Sequence, residues 1–194
     1  MIWIMRILYA IAVAALLGAG TAYAAPAQVI FIRHAEKPAA GPELSAQGFR
    51  RAEALVNFFK TNPAVTKYGT PAAIYAAAPK NEDSSVRSIQ TVTPLARAIG
   101  VKVDASFTRG QTGKLVRAIM ENPAYDGRLV LVCWQHERLV DAAAELAEYN
   151  NSSVTIPLAW DSDAYDRAWV LDLKNGKVIA FRNIPQHLLP GDSN

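Results

Sequence analysis

The chain has 194 residues, of which 51% are hydrophobic and 19% charged, and a formal net charge of +3. These values exclude intrinsic disorder and collagen-like or charged low-complexity architectures, and they leave room for one domain with a short appendage. The basic residues are scattered rather than run together, which argues against a nucleic-acid partner, and one cysteine with three histidines leaves no Cys/His structural zinc site and no intrachain disulfide.

Residues 1–24 read as a secretory signal peptide. Arg6 is its only charge, Ile7 to Gly20 is apolar, and Ala22-Tyr23-Ala24 supplies small residues before a cleavage point at Ala25. The apolar run is shorter than the roughly 20 residues that span a bilayer, and Gly18 and Gly20 interrupt it, so cleavage is expected rather than anchoring. The expected product is a periplasmic or secreted domain over 25–194, free of the membrane.

Within that domain strands and helices alternate. Val29-Ile30-Phe31-Ile32 is a continuous apolar run with β-branched residues, as in a strand buried on both faces. A helix starting near Ser45 carries Phe49, Ala52, Val56 and Phe59 at helical spacing. Ala73 to Ala76 is a weaker strand. A second helix is expected from about Ser85 to Ile99, with Gly100 as its stop and Pro94 bending it or marking a late start. A short strand is read at 101–103, a helix around Leu115 to Asn122 ended by Pro123, the strongest strand at Leu129 to Cys133, and a helix from about Arg138 to Glu148. Strands near 168–173 and 177–181 flank Asn175-Gly176, a hairpin turn signal. The fold class is an α/β three-layer sandwich with a mostly parallel central sheet and an antiparallel edge strand.

In such sheets ligands bind at the carboxyl ends of the parallel strands. The first strand runs into Arg33-His34, the strand at 129–133 into Trp134-Gln135-His136-Glu137, and the second leads through a polar loop to Arg87. Singly, each has an ordinary explanation: Arg33 as an ion-pair partner of Glu36, Arg87 as a solvated helix residue, His136 as a helix cap. Together they place two histidines and two arginines at one sheet edge. His187, between Pro185 and Pro190, is read as structural. Guanidinium forks match phosphate oxygens, an imidazole can carry a phosphoryl group covalently, and phosphoryl transfer asks chiefly for in-line positioning and positive charge around the equatorial oxygens. The set fits phosphate monoester chemistry with no metal and no cofactor.

The same residues carry a resemblance. VIFIRHAEKP at 29–38 resembles the nucleophile segment of the histidine phosphatase superfamily, in its phosphoglycerate-mutase-like branch; LSAQGFRRA at 44–52 is similar to the element opening the next helix; Arg87-Ser88-Ile89-Gln90-Thr91 resembles the segment with the second phosphate-binding arginine; and LVLVCWQH at 129–136 resembles the strand delivering the second histidine. The resemblance implies a phosphoglycerate-mutase-like fold, His34 as the nucleophile that becomes phosphohistidine, and a phosphate pocket of Arg33, Arg87 and His136. Members often have Gly after the nucleophile, where this chain has Ala35 followed by Glu36 and Lys37.

The proton donor is less defined. Mutase-like members place an acid after the second arginine, whereas here none occurs near Lys114 until Glu121. Another branch places it directly after the second histidine, which makes Glu137 the first choice, with Glu82 or Asp83 second. The hydroxyls of Ser88 and Thr91 are read equally as lying near the pocket and as helix surface. Asp161 to Asp166 lacks the glycine and terminal glutamate of a calcium loop and is read as a loop, with Trp160 and Tyr165 near the site rim. The expected function is an exported phosphatase acting on a small phosphorylated substrate; a non-catalytic phosphoester-binding protein and, lower, a phosphomutase are the alternatives.

Overall fold

The computed structural model describes residues 24–193, so all but the last residue of the signal-peptide reading lies outside the described residues. Six strands form one sheet: β1 (Gln28–Arg33), β2 (Ala73–Ala76), β3 (Val103–Asp104), β4 (Leu129–Trp134), β5 (Arg167–Lys174) and β6 (Lys177–Pro185). Four α-helices are described, α1 (Ala46–Thr61), α2 (Arg87–Ile99), α3 (Thr112–Met120) and α4 (His136–Glu148), with a 3₁₀ turn at Pro123–Tyr125. The spatial order is β3-β2-β4-β1-β5-β6. The pairs β3/β2, β2/β4 and β4/β1 are parallel, whereas β5 runs antiparallel to both β1 and β6. The antiparallel edge is therefore a two-stranded hairpin rather than a single strand, turned by Asn175 and Gly176, both with positive φ.

Period-two alternation distributes the central strands between two layers. Ile30, Ile32, Ile74, Leu131 and Cys133 pack with Leu55, Phe58 and Phe59 of α1 and Val92 and Leu95 of α2. Val29, Phe31, Tyr75, Val130, Val132 and Trp134 pack on the other face with Leu115 and Ile119 of α3 and Leu139, Ala142 and Ala143 of α4. Every residue of β1 and β4 is buried, the condition for an uninterrupted apolar strand between helical layers. The architecture is thus the expected three-layer α/β sandwich.

Helix boundaries follow local chemistry. Ser45 caps α1, its Oγ accepting the Gly48 amide at 3.1 Å. Gly100 ends α2 in the left-handed conformation at φ 71°, and Pro94 sits inside that helix. Three expected starts shift: α2 begins at Arg87, α3 at Thr112 and α4 at His136. The first turns of α3 and α4 are mostly polar, so apolar periodicity does not reveal them.

Candidate active site

The parallel ladder between β1 and β4 sets the site. Arg33 pairs with Trp134 in register, and the His34 amide continues the ladder by donating to the Trp134 carbonyl at 3.0 Å. The next amide, Ala35, leaves the sheet and donates to Thr91 Oγ1 at 2.8 Å, while Thr91 itself donates to the Arg87 carbonyl at 2.8 Å. One buried hydroxyl on α2 therefore ties the residue after His34 to the residue that starts the helix. Ser88 and Thr91 are 5% and 0% exposed, which excludes the helix-surface alternative: α2 turns these small hydroxyl residues inward, toward the end of β1. Gly48 serves the same approach from α1, because a Cβ there would collide with the Glu36 carbonyl.

His34 is 6% exposed. Its Nδ1 lies 2.8 Å from the Ala35 carbonyl, which only accepts, so Nδ1 carries the proton of the neutral ring and Nε2 is left with its lone pair. Burial pushes the imidazole down to about 4, against the Ala35 hydrogen bond, and the charges of Arg33, Arg87 and His136 act in the same downward direction. The ring is therefore neutral at pH 7, the state a nucleophile requires.

Arg33 is held without a carboxylate. Its Nη1 donates to the carbonyls of Ser162 at 2.5 Å and Ala164 at 3.3 Å, and its guanidinium carbon sits 3.8 Å from the centre of the Tyr165 ring. Glu36 pairs with Arg51 instead, so the ordinary alternative for Arg33, an ion pair with Glu36, does not form. Arg87 is anchored through Nε to the Glu43 carbonyl at 2.9 Å and through Nη2 to the Gly41 carbonyl. Burial, then the Arg33 charge, pulls His136 below its ordinary value, with Glu137 opposing. Among the described residues, Arg33 Nε and His136 Nδ1 are both buried without a hydrogen-bond partner.

Arg33, His34, Arg87 and His136 all line one cleft of about 570 Å³ at the carboxyl ends of β1, β2 and β4. Lys37, Lys80, Ser88, Thr108, Arg109 and Gln135 line it too. Glu137 is brought to the first turn of α4 but is exposed; its Oε2 accepts from Gln135 Nε2 at 3.1 Å, and it does not itself line the cleft. Glu82 and Asp83 are exposed in the loop before α2, next to the cleft-lining Ser84 and Ser85. Tyr165 lies 6.2 Å from the His34 ring without itself lining the cleft. Trp160 instead packs 5.0 Å from Trp169. His187 is exposed, outside the cleft lining.

Behind the segment that bears His34 lies a second charged group that sequence reading missed. Arg51 Nη2 reaches Glu36 Oε1 at 2.8 Å and Asp192 Oδ1 at 2.6 Å, across 141 residues of chain, and all three side chains are largely buried. Burial alone would raise Asp192, but hydrogen bonds from Arg51 and the Leu188 and Leu189 amides hold it at about 2. Cys133 is also buried, which pushes its thiol up despite the nearby Thr91 and Ser88 hydroxyls and makes it a poor nucleophile.

No protein-family model and no curated protein matches this chain. Solved structures do. The protein histidine phosphatase SixA in complex with tungstate superposes with a TM-score of 0.53 at 13% identity, over 82% of this chain and 97% of that one. A candidate alpha-ribazole-5'-P phosphatase from Escherichia coli gives 0.56 at 12% identity, over 81% and 96%. Phosphoglycerate mutase from Plasmodium falciparum gives 0.53 at 16%, over 86% and 96%. At such identities the likeness defines the fold: this is the α/β fold of phosphoglycerate-mutase-like histidine phosphatases.

Proposed function

We propose that the protein is a phosphomonoester hydrolase that works through a phosphohistidine at His34, outside the cytoplasm. The observation that carries this reading is the His34 hydrogen bond to Ala35, which leaves Nε2 unprotonated in a cleft shared with Arg33, Arg87 and His136. Nε2 attacks phosphorus while the bond to the leaving oxygen breaks. The phosphoryl oxygens face Arg33, Arg87 and His136, and the Ala35 carbonyl stabilises the imidazolium character that the ring gains. A proton goes to the leaving oxygen, from Glu137 as first candidate and Glu82 or Asp83 as second. Water then attacks phosphorus, the P–N bond breaks, and His34 is released neutral.

Export rests on the sequence, where Arg6, the apolar run Ile7 to Gly20 and Ala22-Tyr23-Ala24 read as a cleaved signal peptide. Ala25 is buried, its carbonyl accepts the Gly127 amide at 3.0 Å, and its nitrogen donates to Asp126 Oδ1 at 3.2 Å. Cleavage before Ala25 would set the new ammonium beside that carboxylate. The lining of the cleft includes no carboxylate among the described residues, which favours, as a second reading, a phosphoester-binding protein without turnover.

The test is hydrolysis of p-nitrophenyl phosphate between pH 4 and 8 by the wild type and His34→Ala. The variant is expected to lose at least about a thousandfold in kcat, and quenched wild type is expected to carry acid-labile phosphate. Equal turnover by the two proteins overturns the reading, and binding without turnover selects the second one.

A further inference from the structure

We infer that the cleft takes substrates bearing a second anionic group, held by Lys80 and Arg109 on the side away from His34. This deepens the phosphatase reading and rests on it. One phosphoryl group is already matched by Arg33, Arg87 and His136, yet Lys37, Lys80, Arg109 and Arg138 also line the cleft. Arg138 is neutralised locally by Asp141 at 2.7 Å, and Lys37 lies in the segment that bears His34 and bears on His136. Lys80 and Arg109 remain. Among the described residues neither lies within ion-pairing distance of a carboxylate, and Arg109 makes only a 3.5 Å contact from Nη1 to Gln135 Oε1.

Their placement is fixed by backbone rather than by chance of side chain. Lys80 leaves the end of β2 and Arg109 follows β3; the Ala78 amide donates to the Phe107 carbonyl at 2.8 Å, and Ala78 bridges Thr108. Trp134 Nε1 donates to the Arg109 carbonyl at 3.0 Å, which holds that loop against the end of β4. Because β4 lies between β1 and β2, the Lys80 side of the cleft begins two strand spacings from His34, roughly 10 Å. The two regions form one trough, with the transferable phosphoryl group at the β1 end and an anionic leaving group reaching the β2–β3 end.

The experiment compares hexane-1,6-diol bisphosphate with hexyl phosphate, using wild type and the Lys80→Ala/Arg109→Ala double variant. Both residues are exposed, so hexyl phosphate turnover reports that the variant is folded. Wild type is expected to favour the bisphosphate in kcat/KM by about 10- to 100-fold at low salt, the preference shrinking as salt rises. The double variant is expected to retain hexyl phosphate turnover and lose that preference down to the twofold statistical advantage of two equivalent ends. A wild-type preference no greater than twofold, or one that survives the double substitution, overturns the second subsite while leaving the phosphatase reading intact. Turnover of neither substrate by wild type overturns the phosphatase reading and the subsite together.

Discussion

Arg33 and Arg51 are both 3% exposed, yet they sit in opposite electrostatic settings. Arg51 lies between two carboxylates, Glu36 and Asp192, and has its charge compensated on both sides. Arg33 is gripped by two carbonyls and an aromatic ring, with its Nε buried and unmatched. The fold thus spends one arginine on joining α1 to the C-terminal segment and keeps the other as net positive charge beside His34. A buried guanidinium becomes functional when dipoles, not anions, hold it in place.

Exchanging these roles by mutation breaks the comparison. Arg33→Ala is expected to lower kcat for p-nitrophenyl phosphate by roughly 100- to 1,000-fold, as removal of one charge-stabilising donor does, with a smaller shift in the denaturant midpoint than Arg51→Ala. Arg51→Ala leaves two buried carboxylates facing each other and is expected to cost about 3–5 kcal/mol in urea unfolding, while the fraction that remains folded turns over near the wild-type rate. If instead Arg51→Ala abolishes turnover in fully folded protein, the division of labour is wrong. Thr91→Val keeps shape but strips the Ala35 amide of its acceptor; the expected cost is about 1–3 kcal/mol, together with a fall in kcat larger than any change in KM, because the segment bearing His34 loosens.

The smallest effect is a titration. NMR of the His34 ring is expected to show a midpoint near 4, below the ordinary 6.5, and added inorganic phosphate is expected to raise it by favouring the imidazolium. The folded state then binds fewer protons than the unfolded chain between those two values, so His34 makes stability fall as pH drops through that window. Asp192 acts lower: the stability from its pairing is present above its ordinary 3.8 and is lost as pH falls toward about 2. A His34 midpoint at or above 6.5 would contradict the burial-driven neutral ring.

Most of the sheet and helices, and the placement of Arg33, His34, Arg87 and His136, were legible in sequence because each follows from a local pattern: an apolar run, a helical stripe, charged residues at a strand end. The Glu36–Arg51–Asp192 cluster was not, since nothing local announces a partner 141 residues away. Thr91 escaped for a related reason. A polar residue on an amphipathic helix reads as outward-facing, and only the third-dimensional approach of the β1 end shows that its hydroxyl has a backbone partner. Glu137 marks the other boundary, because sequence adjacency to His136 brought it to the right turn of helix without bringing it into the cleft wall.

The insertion of β4 between β1 and β2 also gives the site a schedule. His34 and the β2 loop are made early, but the strand that joins them is encoded around residue 130, and Arg33 finds its partner only in Trp134. Synthesis from the N-terminus thus makes Arg33, His34 and Arg87 first and His136 last. Pairing across such separation is slow to form and cooperative once formed, so the cleft is complete only when β4 has entered the sheet, well after His34 itself has been made.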